Sequence, residues 1–286
     1  MRWEGRRQSS NVEDRRGIPS PVMVGGGLLS LVLVLGLLFL GVEPKQAQRI
    51  AADLAGPQAR PQAKPVTPGA DDALKQFVSV VLADNEDVWT RLFPESFNRT
   101  YKPPKLVLFT GQVKSACGLA SAAAGPFYCP LDSQVYIDLA FYEELKRRFG
   151  APGDFAQAYV IAHEIGHHVQ NRLGIAERVQ AMRSRKSESE SNKLSVRMEL
   201  QADFLAGVWA HHVARYAGVI DEEDIREAVN AAAAIGDDRI QKMSQGYVVP
   251  DAFTHGSSEQ RVRWFLYGLK EGDPSLMDRA FEVDSP

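Results

Sequence analysis

The apolar positions change their pattern sharply along this chain. From Pro21 to Val42 they run for 22 residues without one charge, dominated by Leu, Val and Gly. At 1.5 Å rise per residue such a helix spans a bilayer core of roughly 30 Å. Downstream the period becomes helical: Leu74, Phe77, Val78, Val81 and Leu82 predict an amphipathic helix over residues 71–89. Leu106 to Thr110 and Gln134 to Leu139 are clusters of β-branched and aromatic residues between turn signals, and predict strands. Helical periodicity returns over Phe141 to Phe149. A second such helix runs from Asp154, read as N-cap with Gln157 at the capping-box position, to Leu173, where Gly174 stops it.

Arg183 to Lys193 is polar and reads as a loop. Helices over Leu194 to Tyr216, Glu222 to Ala234 and Ser258 to Lys270 follow, the last opened by a Ser257/Gln260 capping box. The expected fold is therefore α+β, mostly α, with a small β-sheet upstream of the 154–173 helix and one transmembrane helix before the folded part. Residues 43–70 hold five Pro and no aromatic residue, the composition of a spacer. The domain plan that follows is a tail over 1–20, an anchor over 21–42, a spacer over 43–70 and a folded domain over 71–286.

Charge orients this plan. Residues 1–20 carry five Arg against Glu4, Glu13 and Asp14, a net of +2 out of a whole-chain −3, leaving −5 for the rest. Positive flanks stay inside, so the tail is expected in the cytoplasm and the folded domain outside it, at the cytoplasmic membrane. The apolar run exceeds the ordinary length of a secretory signal, and Phe39-Leu-Gly-Val-Glu43 offers no small-x-small cleavage site, so an uncleaved anchor is expected. An acidic remainder has no footprint for nucleic acid. The two cysteines, Cys117 and Cys129, flank a Gly-rich loop without Cys-x-x-Cys spacing, and outside the cytoplasm a disulfide between them is the expectation.

The chemistry lies in His163-Glu164-Ile-Gly-His167. A spacing of four puts both imidazoles on one helix face, one turn apart, where they can hold one Zn²⁺. Glu164 beside them can serve as general base toward water and then as proton donor to a leaving amine. A catalytic zinc needs a third protein ligand, and Glu199-Leu-Gln-Ala-Asp203, 32 residues after His167, offers two carboxylates four apart among apolar neighbours. Glu199 is the expected ligand and Asp203 the acceptor that orients a ligand imidazole. His168 points about 100° away from His167, and His211 and His212 lie too far along their helix from Glu199; all three read as packing or surface residues. His255, in Thr254-His255-Gly256-Ser257, is a candidate donor to the oxyanion of a tetrahedral intermediate, as are Arg261 and Tyr247.

Met-Arg-Trp-Glu-Gly at the start, Asn11-Val-Glu-Asp-Arg-Arg-Gly17, Gly125-Pro-Phe-Tyr-Cys-Pro130, Val135-Tyr-Ile-Asp-Leu139, His163 to Gln170, Glu199 to Asp203 and Thr254 to Arg261 together resemble the neutral zinc metallopeptidase family of bacteria. The Glu-x-x-x-Asp and Thr-His elements are also similar to those of CAAX prenyl endopeptidases. The resemblance implies a zincin-like domain and a gluzincin-type site, with His163, His167 and Glu199 as ligands and Glu164 as base. It implies peptidase chemistry on a protein or peptide substrate. A tethered zinc-stabilised binding or scaffold protein is the alternative, and a fourth protein ligand such as His255 would mark it.

Overall fold

The computed structural model describes residues 1–17, 70–122 and 125–283. The expected anchor over 21–42 and all but the last residue of the 43–70 spacer lie outside the described residues. Among the described residues no helix is long and apolar enough to cross a membrane.

The body holding residues 1–16 and 70–283 is mostly helical with a small mixed sheet. Strand β1 (Val12–Asp14) leads to helix α1 (Ala70–Phe97), followed by β2 (Lys105–Phe109), the hairpin β3 (Gln112–Ser115) and β4 (Gly118–Ser121), then β5 (Phe127–Cys129) and β6 (Gln134–Asp138). Helices α2 (Ala140–Arg147), α3 (Asp154–Arg172), α4 (Ile175–Arg183), α5 (Glu188–Ala217), α6 (Glu222–Ala234), α7 (Asp237–Gln245), α8 (Ser258–Glu271) and α9 (Arg279–Glu282) complete it.

The sheet has the order β1-β2-β6-β5, with β1, β2 and β6 parallel and β5 antiparallel at the edge. Leu106 pairs with Val135 and Leu108 with Ile137, and these four join the main core beneath the helices. Val107, Phe109 and Tyr136 point to the opposite face and pack with Val113 and Cys129. Burial on both faces explains why Lys105-Leu-Val-Leu-Phe109 is an almost unbroken apolar run. The expected disulfide is present: Cys117 is bonded to Cys129 and ties the β3–β4 hairpin to the end of β5.

The helices meet through small residues. A Cβ on Gly207 of α5 would stand 2.1 Å from the Phe265 carbonyl oxygen of α8, and one on Gly268 2.0 Å from that of Phe204. Gly166, inside the His-Glu-Ile-Gly-His run, lies against Ala202, where a Cβ would fall 2.9 Å from the carbonyl oxygen. Those contacts draw α5 against α3 and α8 and settle which side chains face each other.

Several sequence expectations need correction. Asp154 is the first residue of α3, not its cap; Gly153 occupies the cap, and the Phe155 N–H is met by Glu227 of α6 at 2.9 Å. Helix α1 continues past Trp89 because Leu92 and Phe93 prolong its buried face. Helix α5 begins at Glu188, within the expected 183–193 loop, because Ser187 and Glu190 form a capping box.

The largest correction concerns the tail. Residues 1–16, expected to stand apart from the folded domain, are part of it. Strand β1 pairs with β2 in the register Val12↔Leu106 and Asp14↔Leu108. Arg6 grips Asp84 of α1 with two 2.7 Å bonds, and Arg7 reaches Asp87 at 2.7 Å and the Ala83 carbonyl at 2.6 Å. Ser9 and Asn11 both donate to Glu86, and the amine of Met1 is paired with Asp224. Charge complementarity with the Asp84-Asn-Glu-Asp87 run docks the segment.

Asp84 is buried, and burial pushes its carboxyl up to about 6 against the pull of Arg6. A folded pKa above the ordinary 3.8 means that Asp84 favours folding at low pH, and that this contribution fades as pH rises through about 6. Removing Arg6 would strand the ionised form. Arg6→Gln is therefore expected to cost about 2 kcal/mol at pH 8 and clearly less at pH 5, checked by denaturant unfolding at both values.

Candidate metal centre

Helix α3 crosses the core with nearly every residue buried, which carries its polar His163, Glu164 and His167 into a low-dielectric setting. The two imidazoles stand one turn apart, ring centroids 4.8 Å from each other and nearly perpendicular. Close approach at Gly166 brings Glu199 of α5 over them. Its Oε2 lies 3.1 Å from His163 Nε2 and its Oε1 3.5 Å from His167 Nε2. The ligand atoms of these three residues fall within 4.8 Å of one another, and among the described residues no other His, Cys, Asp or Glu joins or repeats that cluster.

The outer nitrogens are committed elsewhere. His163 Nδ1 donates to Asp203 Oδ1 at 2.7 Å and His167 Nδ1 to Gln170 Oε1 at 2.8 Å, which leaves both Nε2 atoms facing Glu199. Gln170 is held in turn, donating to the Met198 carbonyl and to Gln201. Asp203, fully buried, also accepts from the Tyr159 hydroxyl at 2.5 Å and from Arg261 Nε and Nη2 at 2.9 and 3.0 Å. A buried carboxylate and guanidinium thus satisfy each other around a candidate ligand histidine.

Electrostatics fit a cation. Burial presses His163 toward neutrality, but Asp203 and Glu199 outweigh it and hold its pKa at about 10. His167 is raised because Glu199 overcomes its burial. Burial also opposes ionisation of Glu199, yet His167 and His163 keep its carboxyl well below the usual range. The three groups call for positive charge at their meeting point, which a divalent ion supplies when it displaces the protons. Two imidazole nitrogens and one carboxylate are a donor set suited to zinc. Glu164, buried, has its carboxyl raised by desolvation against the pull of the two histidines. It makes no hydrogen bond within the protein among the described residues and is free to meet a water.

A second carboxylate–imidazole pair stands nearby. Asp237, the first residue of α7, accepts the backbone N–H groups of Thr254, His255 and Gly256 at 2.7, 2.6 and 3.1 Å, and bonds His255 Nδ1 at 3.1 Å. Gly256, at φ +89°, allows the turn to seat against Val196 and Leu200, the residues around Glu199. Half-exposed, His255 has its imidazole pKa raised by the Asp237 bond first, with Glu199 adding to it. Its Nε2 has no hydrogen-bond partner among the described residues. Between the first turns of α5 and residues 250–263 lies a cavity of about 560 Å³, lined in part by Asn192, Arg197, Phe253, Ser257 and Gln260.

Other candidates go elsewhere. Arg261 is 2% exposed and bound to Asp203, so it faces the core and not a reacting carbonyl. Tyr247 is exposed on the surface. His168 is buried, its pKa lowered by desolvation to about 4; it donates from Nε2 to the Lys102 carbonyl and accepts from the Tyr128 hydroxyl, fastening α3 to β5. His211 and His212 bond the Leu269 and Gly272 carbonyls at the end of α8. The sequence reading missed Tyr159, Gln170 and Asp237. Tyr159 carried a signal, standing four residues before His163 on the same helix face.

The sequence model of the family described as "Putative neutral zinc metallopeptidase" matches residues 1–280. The chain belongs to this family. It is 48% identical to the uncharacterized protein YpfJ of Escherichia coli K12 over 96% of this chain and 97% of that one. It is 43% identical to the uncharacterized protein Rv2575 of Mycobacterium tuberculosis H37Rv over 69% of this chain and 67% of that one. No solved structure matches it. Family membership from residue 1 includes the docked N-terminal segment as well as the metal centre.

Proposed function

We propose that this metallopeptidase-family chain hydrolyses peptide bonds in protein or peptide substrates, using a zinc ion held by His163, His167 and Glu199. The observation that carries the reading is the convergence of three ligand atoms beside an uncommitted buried carboxylate, Glu164. A zinc ion bound there would supply Lewis acidity toward the scissile carbonyl and toward water. Glu164 would take the proton of the attacking water and return it to the leaving amine, its raised pKa suiting both transfers. His255, positioned by Asp237, would donate Nε2–H to the developing oxyanion. Asp203 and Gln170 keep the two ligand imidazoles in the tautomer that offers Nε2.

An extended substrate would lie along β5. Among the described residues this strand pairs on one side only, with β6, and its Tyr128 bonds His168, the neighbour of a ligand. The 560 Å³ cavity beside α5 would take one substrate side chain. The uncharged stretch over 21–42 supports attachment to the cytoplasmic membrane, and the Cys117–Cys129 disulfide supports catalysis on its outer side.

The test is zinc content and proteolysis together, on the full chain. Wild type is expected to hold one zinc and to cleave an unfolded protein, losing activity to a chelator and regaining it with zinc. Glu199→Ala is expected to weaken zinc binding by more than about 100-fold, since even outer-shell changes cost 10- to 100-fold. Wild type that holds zinc yet cleaves nothing across a broad peptide library would overturn the peptidase reading.

A further inference from the structure

We infer that residues 1–16 and the body that carries the candidate metal centre lie on the same side of the membrane, which excludes a topology in which the chain between them crosses it once. A single crossing would deliver Gly17 and Ala70 to opposite faces. Strand β1 forbids this, because its residues sit in the sheet: Leu106 N–H bonds the Asn11 carbonyl at 2.9 Å and Arg15 N–H the Leu108 carbonyl at 2.8 Å. Without β1, strand β2 would present an open apolar edge.

The charges agree. The cytoplasmic placement of the tail rested on its arginines, and two of the five are answered by carboxylates of α1, Arg6 by Asp84 and Arg7 by Glu86 and Asp87, while Arg15 and Arg16 pair with Glu13 and Asp14 inside the segment. The fifth, Arg2, donates to the Gly218 carbonyl. Arginines neutralised in this way no longer act as a flanking positive cluster. A segment pulled to the other face would leave Asp84, 8% exposed at its side chain, buried without its partner. Trp3 adds an edge-to-face contact with Phe77 and a bond to Asp154, the first residue of the metal-bearing helix. Because Trp3 reaches α3 in this way, residues 1–16 and the candidate metal centre belong to one folded unit. The inference stands on packing alone and does not depend on zinc or on peptidase activity.

The experiment labels single cysteines in the full-length chain with a membrane-impermeant maleimide, in intact spheroplasts and after permeabilisation. Gln8→Cys probes the segment and Ser244→Cys the body; both positions are exposed, so neither change disturbs packing. Wild type, its cysteines joined in the disulfide, is the blank. Equal labelling of the two variants before permeabilisation supports the inference and places both outside. Equal protection, lifted for both by permeabilisation, also supports it while overturning the outer placement proposed above. One position labelled and the other protected overturns it. Docking itself is read by charge reversal: Arg6→Asp should lower the thermal midpoint and Arg6→Asp with Asp84→Arg should recover most of the loss. No coupling between the two changes would overturn the inference as well.

Discussion

Glu164→Gln is expected to lower kcat by about 1000-fold while zinc content and the unfolding midpoint stay at wild-type values, a barrier increase of about 4 kcal/mol. The amide keeps the volume of the carboxyl, and Glu164 has no hydrogen-bond partner to lose among the described residues, so the substitution removes a proton acceptor and little else. The surrounding geometry should persist: Asp203 and Gln170 still orient the imidazoles, and Glu199 still faces them. Steady-state kinetics beside metal analysis separates the outcomes. Turnover retained at wild-type level would show that another group accepts the proton, and simultaneous loss of zinc would show that Glu164 supports the metal instead.

Asp203→Ala is expected to cost about 3–5 kcal/mol of stability and, in what still folds, 10- to 100-fold in zinc affinity. The carboxylate is fully buried and answers three groups, the His163 ring, the Tyr159 hydroxyl and Arg261. Its removal strands a buried guanidinium, which is more damaging than loss of the pair itself. Asp203→Leu combined with Arg261→Met should therefore recover much of the stability without restoring zinc affinity, because His163 still lacks its acceptor. Denaturant unfolding of the metal-free chain and zinc titration read the two effects separately. Equal loss of stability in the single and double variants would remove the argument that the guanidinium is the source of the cost.

These two residues also mark where sequence legibility changes. His163, Glu164 and His167 are legible because their relation is local: a helix of 3.6 residues per turn converts a spacing of four into one face. The same rule places Glu199 and Asp203 on one face of α5, and apolar neighbours mark that face as turned inward. That α5 lies close enough to α3 for both carboxylates to reach one imidazole depends on Gly166 meeting Ala202 and on Gly207 meeting α8. Spacing says nothing about such contacts. Arg261 could be read as a donor to substrate until its burial against Asp203 assigned it to the core, and Asp237 went unnoticed because it is bound to a turn 17 to 19 residues away. Strand β1 shows the limit most clearly. Val12-Glu-Asp14 has no alternation to betray a strand, and its partner lies more than 90 residues on.

For this protein, the sequence by itself determined what local periodicity can encode: the apolar 21–42 stretch, the order of most helices, the His-Glu-x-x-His face and the carboxylates that could complete it. Tertiary structure decided which faces meet, and so it decided the union of Glu199 with the two imidazoles, the Asp203–Arg261–Tyr159 support, the Asp237–His255 pair and the docking of residues 1–16. The division has a physical cause. Backbone geometry repeats over a few residues and leaves a regular trace in the chain, whereas helix crossings and strand pairings are set by the summed packing of distant side chains.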